Sequence, residues 1–352
     1  MNLLQEGAIT FEADGIFFNP RMNTNRDIGI AMAKSLGIRE YLDALSASGI
    51  RGLRVCREAG VQKVTLNDVS QSAYQCILRN ISRNDLSGCE AICCNANALM
   101  HLRHFETVDL DPFGSPSPFL PAAARSAQSF LFITATDTAP LCGAHLKSGI
   151  RKYLALPVKT DYHREMGARI LLGLAARELA RRDKAMVPLL THATDHYVRT
   201  YLRLEHGAKM ADRCLEKMGY IEHCIKCGCF KAACNPRPEN CVVCGSSTIL
   251  AGPLWLGQIQ DPQVISLAAS QISLQNKNAK KLLEVCGSEA DLPLYYDHHR
   301  ICRRLGITPK KADQVVDALR EAGWKASRTH FTGVGIKTDA EVRDVEEILM
   351  FL

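Results

Sequence analysis

The chain of 352 residues is 47% hydrophobic and 23% charged, long and apolar enough for two globular domains and unlike a disordered or fibrous sequence. Met1-Asn-Leu-Leu-Gln-Glu6 lacks the cationic and apolar segments of an export signal, and no apolar run is long enough for a bilayer, so a cytoplasmic protein without a membrane partner is expected. The formal charge of +6 admits a polyanion as partner, and fifteen cysteines in such a chain are expected to be reduced, some of them available to a metal. Nothing in the composition calls for an obligate protein partner.

Between residues 36 and 207 short apolar runs alternate with helical stretches, the pattern of a mostly parallel sheet flanked by helices. Seven strands are predicted, at 40–45, 63–67, 90–94, 107–111, 130–134, 185–191 and 197–205. Only residues 192–196 separate the last two, too few for a crossover helix, so they should form an antiparallel hairpin at the sheet edge. Such a hairpin distinguishes a methyltransferase sheet from a dinucleotide-binding one. The expected fold is α/β: a seven-stranded class I methyltransferase (Rossmann-like) domain over 1–207, then an α+β C-terminal domain over 208–352.

Within the first half, Tyr41-Leu-Asp-Ala-Leu-Ser-Ala-Ser-Gly49 reads as a strand entering a small-residue turn, with a helix from Ile50. Small residues let backbone approach a ligand, and the helix start offers unpaired N–H groups. The single glycine rules out the dinucleotide fingerprint. Asp68 ends the next strand, where a carboxylate can take ribose hydroxyls, although Asp68 or Ser70 would equally serve as cap of a helix beginning near Gln71.

Val108-Asp-Leu-Asp-Pro-Phe-Gly-Ser-Pro116 closes the fourth strand with an acid, a proline and an aromatic ring, similar to the Asp/Asn-Pro-Pro-Tyr/Phe signature of amino-methyltransferases. An exocyclic amine conjugated to a base is a poor nucleophile. A carboxylate on Asp111 and the carbonyl of Pro112 can accept its N–H bonds, localise the lone pair and balance the growing positive charge. Phe113 would stack on the extruded base.

Past Gly207 the cysteines cluster. Cys224-Ile-Lys-Cys227 and Cys241-Val-Val-Cys244 have zinc-ribbon spacing, four thiolates for a closed tetrahedral structural site, with Cys229 and Cys234 as alternative ligands. A polar stretch spans 270–278. A helix ending at Gly306 is expected next, then a second with Thr308 as N-cap, Pro309 at its first position, an apolar stripe of Ala312, Val315, Val316 and Leu319, and Gly323 at its end. With a hairpin over 324–337 these make a winged-helix-like segment (292–337) beside the zinc-ribbon-like element (217–257). Residues 292–337 hold nine Lys/Arg against four Asp/Glu, an excess that would meet phosphates.

Several ordered segments together resemble the archaeal and eukaryotic tRNA (guanine-26-N2)-dimethyltransferase family over nearly the whole chain: Phe17-Phe-Asn-Pro-Arg-Met-Asn-Thr-Asn-Arg-Asp27, Asp43-Ala-Leu-Ser-Ala-Ser-Gly-Ile-Arg-Gly-Leu-Arg54, Asp111-Pro-Phe-Gly-Ser-Pro116, Thr138-Ala-Pro-Leu-Cys-Gly143, Gly252-Pro-Leu-Trp-Leu-Gly257, Arg328-Thr-His-Phe331 and Gly335-Ile-Lys-Thr338. The resemblance implies transfer of one or two methyl groups from S-adenosylmethionine to N2 of guanine 26 of tRNA. It implies that Arg26 meets the cofactor carboxylate, that Asp43 and Ser46 lie at the cofactor turn, and that Asp68 and Val69 hold ribose and adenine. It also implies that Phe17 and Phe113 sandwich the guanine with Asp111 at its amine. At Asn95-Ala96 the family pattern has an aspartate for the adenine amine, and the Asn95 carbonyl would accept that bond instead. Methylation of protein glutamines and non-catalytic RNA binding are the rival readings. The zinc ribbon and basic tail weigh against the first, and the intact Asp68, Asp111 and Phe113 against the second.

Overall fold

The computed structural model describes residues 3–236, 240–273 and 276–352. The chain opens with a small hairpin, β1 (Leu4–Glu6) and β2 (Ile9–Phe11), and a helix α1 (Asn23–Ser35). The alternating region then gives β3 (Glu40–Asp43), α2 (Ile50–Ala59), β4 (Lys63–Asp68), α3 (Gln71–Arg83), β5 (Cys89–Cys93), α4 (Ala96–Leu102) and β6 (Phe105–Leu110). It continues with α5 (Leu120–Ser126), β7 (Ala127–Ala135), α6 (Thr138–Leu141), α7 (Leu146–Tyr153), α8 (His163–Ala180), β8 (Lys184–Thr194) and β9 (Tyr197–His206).

β3 to β9 form one seven-stranded sheet in the order β5-β4-β3-β6-β7-β9-β8, parallel except for β9, which is antiparallel to both neighbours. The predicted edge hairpin is present, with a tighter turn than expected: Thr194 pairs with Tyr197, and Asp195 adopts a left-handed φ of 49°. Central strands buried on both faces read as continuous apolar runs, which is why they were legible. The order reverses between β3 and β6, so the crevice for a ligand lies at the carboxyl ends of these strands.

The second half contributes α9 (Ala208–Leu215), a sheet of β10 (Met218–Cys224), β11 (Phe230–Ala233) and β12 (Thr248–Trp255), then helices α10 (Pro262–Gln271) and α11 (Lys277–Ser288). Last come β13 (Tyr296–Asp297), α12 (His298–Leu305), α13 (Ala312–Glu321), β14 (Ala326–Arg328), β15 (Gly335–Thr338) and α14 (Val342–Phe351). α12, α13 and the β14–β15 hairpin make the winged-helix-like unit. Its second helix starts later than expected. His298 Nε2 bonds the Lys310 carbonyl at 3.0 Å, so the chain cannot turn helical at Thr308 and Pro309, and Lys311 becomes the N-cap with Gln314 reaching back to its N–H. Within the polar stretch 270–278, α10 runs to Gln271 and α11 starts at Lys277; 274 and 275 lie outside the described residues, as do 237–239.

Composition changes at Gly207, but packing does not stop there. Ile265, Ala268, Leu283 and Cys286 of α10 and α11 share a core with Ile28 and Met32 of α1. Leu254, Trp255, Tyr295 and Phe331 share another with α8. Between these surfaces runs a buried chain of charges: Glu165 pairs with Arg169 (2.8 Å) and Lys337 (2.9 Å), and Glu289 with His330 (2.5 Å) and Lys337 (3.5 Å). Phe331 lies fully buried, so the late Arg-Thr-His-Phe and Gly-Ile-Lys-Thr segments hold the two halves together. Lys337 is therefore no surface cation. Of the nine Lys/Arg in 292–337, Arg300, Arg304, Arg320 and Arg328 are also ion-paired, which reduces the free basic surface expected from the count.

Candidate active site and structural metal site

The carboxyl ends of β3, β4 and β6 and the loop before α1 enclose a cleft of about 990 Å³. Nine of the eleven predicted catalytic and cofactor residues line it: Phe17, Arg26, Asp43, Ser46, Asp68, Val69, Asp111, Pro112 and Phe113. Asn95 and Ala96, beyond β5, do not.

The turn after β3 is built by short-range bonding. Ser46 Oγ donates to the Asp43 carbonyl (2.8 Å), and the N–H of Ala47, at a left-handed φ of 49°, donates to Asp68 Oδ2 (2.9 Å). Gly49 follows at φ 81°, where a Cβ would also press on Leu66 at 3.1 Å, so glycine is required on both counts. Asp43 Oδ2 accepts the N–H of Gly52 in the first turn of α2 (3.1 Å). Burial pushes the Asp43 carboxyl up to about 7 against the pull of Arg51. Ser70, not Asp68, caps α3 through the N–H of Ala73 (3.4 Å), leaving Asp68 to brace the turn and face the cleft.

Asn95 departs from its expected role. Its Oδ1 caps α4, accepting from Asn97 (3.0 Å) and Ala98 (3.2 Å). The carbonyl expected to meet an adenine amine is thus already engaged. Arg26 is likewise committed: its guanidinium forms a two-pronged pair with Glu6 (2.6 and 2.5 Å), donates to the Asn19 carbonyl (3.1 Å) and lies over Phe18. It lines the cleft from that fixed position. Burial raises the Glu6 carboxyl, and Arg26 and Arg54 outweigh this, holding it below its ordinary value.

Asp111 follows the last residue of β6. Burial pushes its carboxyl up, but Arg51 and Arg199 prevail and keep it below the usual carboxylate range. Arg51 donates to Asp111 Oδ2 and to Asn25 Oδ1 (2.8 Å), while its Nη1 has no protein partner. Beneath it Arg199 holds Asp109 with two bonds (2.7 and 2.5 Å), and Tyr41 OH joins the same carboxylate. Sequence reasoning missed Arg51 and Arg199, because an arginine is by default a solvated residue. Phe17 and Phe113, 57% and 71% exposed, meet edge to face with centroids 4.4 Å apart. A flat base between them needs about 7 Å, two layers of atomic contact, so the rings must part to admit one.

At the other end of the chain, the sulfurs of Cys224, Cys227, Cys241 and Cys244 lie within 4.8 Å of one another, with Cys224–Cys244 and Cys227–Cys241 at 3.5 Å. Four thiolates at about 2.3 Å from a tetrahedral zinc stand roughly 3.8 Å apart, so the donor set and spacing fit that ion. Cys234 turns instead to the Glu216 carbonyl. Arg304 of α12 donates to the Cys227 carbonyl and Arg343 of α14 to that of Val243 (2.7 Å), docking one knuckle on each helix. Cys286, Glu289 and His330 also cluster, yet Lys337 lies beside Glu289 and the Ala193 N–H fills His330 Nε2 (3.2 Å), so donors already occupy the place of a cation.

The family model described as N2,N2-dimethylguanosine tRNA methyltransferase matches residues 2–350. A tRNA (guanine(26)-N(2))-dimethyltransferase of Methanosarcina mazei is 46% identical, covering 96% of this chain and 92% of its own length, and one of Haloarcula marismortui is 44% identical over 94% and 93%. Among solved structures, Trm1 from Pyrococcus horikoshii in complex with S-adenosyl-L-methionine superposes with a TM-score of 0.92 at 40% identity, covering 99% of this chain and 100% of that one. The chain belongs to the N2,N2-dimethylguanosine tRNA methyltransferase family.

Proposed function

We propose that this protein transfers one or two methyl groups from S-adenosylmethionine to the exocyclic N2 of guanine 26 in tRNA. The observation that carries the reading is the convergence of the turn after β3 and the Asp111-Pro-Phe113 segment on one cleft. Arg51 lines the same cleft and holds the Asp111 carboxylate there. When bound, the cofactor supplies an electrophilic methyl group. Arg26 faces its carboxylate, Asp43 and Ser46 shape its turn, Asp68 and Val69 meet ribose and adenine, and Ala96 with the cap residue Asn95 borders the adenine. Asp111 and the Pro112 carbonyl accept the guanine N–H bonds and turn the lone pair toward the methyl. Phe17 and Phe113 part to stack on the base. The ribbon and the winged-helix-like unit, within residues 208–352, hold zinc and present the tRNA.

The test is incubation with labelled cofactor and either a tRNA transcript or its guanine-26-to-adenine variant, followed by nucleoside analysis. Label in N2-methylated guanosine with the first transcript alone is expected. Label in protein glutamine, or no transfer at all, would overturn the reading.

A further inference from the structure

Helix α7 carries a bare outer face. Leu146, Ile150 and Leu154 lie four residues apart, hence on one side, and are 45%, 42% and 60% exposed. Lys147 and Arg151 form a second exposed row one position along. Leu156 (37%) extends the apolar strip and Lys159 the basic one. Apolar side chains at this density on a surface mark a binding face.

The opposite face is fixed to the active-site loops. Gly149 packs so closely that a Cβ would stand 2.6 Å from Pro157 and 2.7 Å from the Pro140 carbonyl. Tyr153, fully buried, lies 3.0 Å from Ser115 Oγ, two residues beyond Phe113, and donates to Asp137. Lys152 pairs with Asp137 at 2.9 Å. Arg177 of α8 holds the carbonyls of Tyr153 (2.8 Å) and Leu154 (3.1 Å). The helix is thus a rigid outwork of the loop that bears Phe113.

Leu154 supplies a second, independent observation. It ends the helix at φ 50°, ψ 39°, a left-handed position that glycine or asparagine fills at low cost and a branched side chain resists. A strained, solvent-exposed leucine gains nothing from packing. Here Arg177 holds the strained residue by its carbonyl, and strain of this kind clusters at sites that clamp a ligand.

We propose that α7 is an RNA-binding face that grips the strand flanking the extruded base, with Lys147 and Arg151 on its phosphates and Leu146, Ile150 and Leu154 against the bases exposed by extrusion. This rests on the tRNA reading above. The two cations match the charge of a phosphate strand, and apolar wedges beside cations are how proteins hold open base steps. The join to the Phe113 loop brings the strand to the site where one base must leave the stack.

Three variants test it on the whole protein with a tRNA transcript carrying 2-aminopurine at the target position for the extrusion readout and guanine for turnover. Leu154→Gly removes both the wedge and the strain: its melting temperature should equal or exceed the wild-type value while its kcat/KM for tRNA falls about tenfold. Lys147→Glu with Arg151→Glu should weaken tRNA binding at least tenfold and lower the log–log salt slope by about 2, with cofactor binding unchanged. Leu146→Ser with Ile150→Ser should dim the extrusion signal. Wild-type tRNA affinity, salt slope and extrusion in all three, with the parent enzyme methylating the transcript, would overturn the proposal. Failure of the parent enzyme to methylate tRNA would instead remove the function on which it rests.

Discussion

The cleft and the junction between the two halves are both built around buried charges, but the junction is sealed and the cleft is open. At the junction, Glu165, Arg169, Glu289, His330 and Lys337 pair with one another, the second oxygens of Glu165 and Glu289 accepting no hydrogen bond, and Phe331 seals them. At the cleft, Asp43 carries a carboxyl raised to about 7, and two phenylalanines stand in solvent. A network sealed from solvent yields a fixed arrangement, whereas open apolar faces leave places for a ligand to fill. Stability and chemistry are thus separated along the chain, and substitutions should separate them too.

The largest effect is expected at the metal knuckles. Purified protein should carry about one zinc per chain, and Cys224→Ser with Cys227→Ser should abolish it and unfold the ribbon, since structural zinc contributes on the order of 10 kcal/mol to small sites. Elemental analysis and calorimetry read both, and cofactor binding at the cleft should survive.

At the junction, Lys337→Met leaves Glu165 and Glu289 short of a buried partner and should cost about 3–5 kcal/mol of unfolding free energy. Burial raises the Glu289 carboxyl, yet His330 and Lys337 hold it down to about 2 against an ordinary 4.5. Its contribution is therefore present above pH 4.5 and lost as pH falls toward 2. The variant should flatten the stability curve in that window, and an unchanged denaturant midpoint would show that the pairing is idle.

A smaller and different effect is expected at Arg51. Arg51→Met removes a cation that lowers the Asp111 carboxyl, so Asp111 takes up its proton at higher pH. The acid limb of the pH–rate profile should move upward, with about a tenfold loss at neutral pH that Arg51→Lys partly restores. Equal loss at all pH values would assign Arg51 a role in packing alone.

Much of this was legible in the sequence. Central strands buried on both faces declare themselves as apolar runs, the short 192–196 link forced a hairpin, and paired Cys-x2-Cys spacing reads directly as four sulfurs around a point. Asp111 was visible because Asp-Pro-Phe-Gly, an ordinary turn sequence elsewhere, stands at the end of the fourth strand, where amino-methyltransferases carry their signature. The remainder depends on contacts between distant segments. Nothing local shows that Lys337 is buried against Glu165 or that the Lys310 carbonyl is held by His298, whereas the Asn95 cap was a local signal, Asn one residue before a helix, passed over for the family role. The α10–α11 pair was hidden because its apolar face is short and completed by distant elements, chiefly α1 and β8.

The central claim is that the Asp111 carboxylate, held ionised by Arg51, orients the guanine amine. Single-turnover methyl transfer by Asp111→Ala and Asp111→Asn, with cofactor and tRNA affinities measured in parallel, tests it directly. Alanine should slow transfer at least about a hundred-fold, roughly 2.7 kcal/mol of transition-state stabilisation, with both ligands bound as in the parent enzyme. Asparagine, an acceptor without charge, should fall between the two, its second methylation slower than its first because N2-methylguanine retains one N–H. Near-parental transfer by Asp111→Ala would contradict the account.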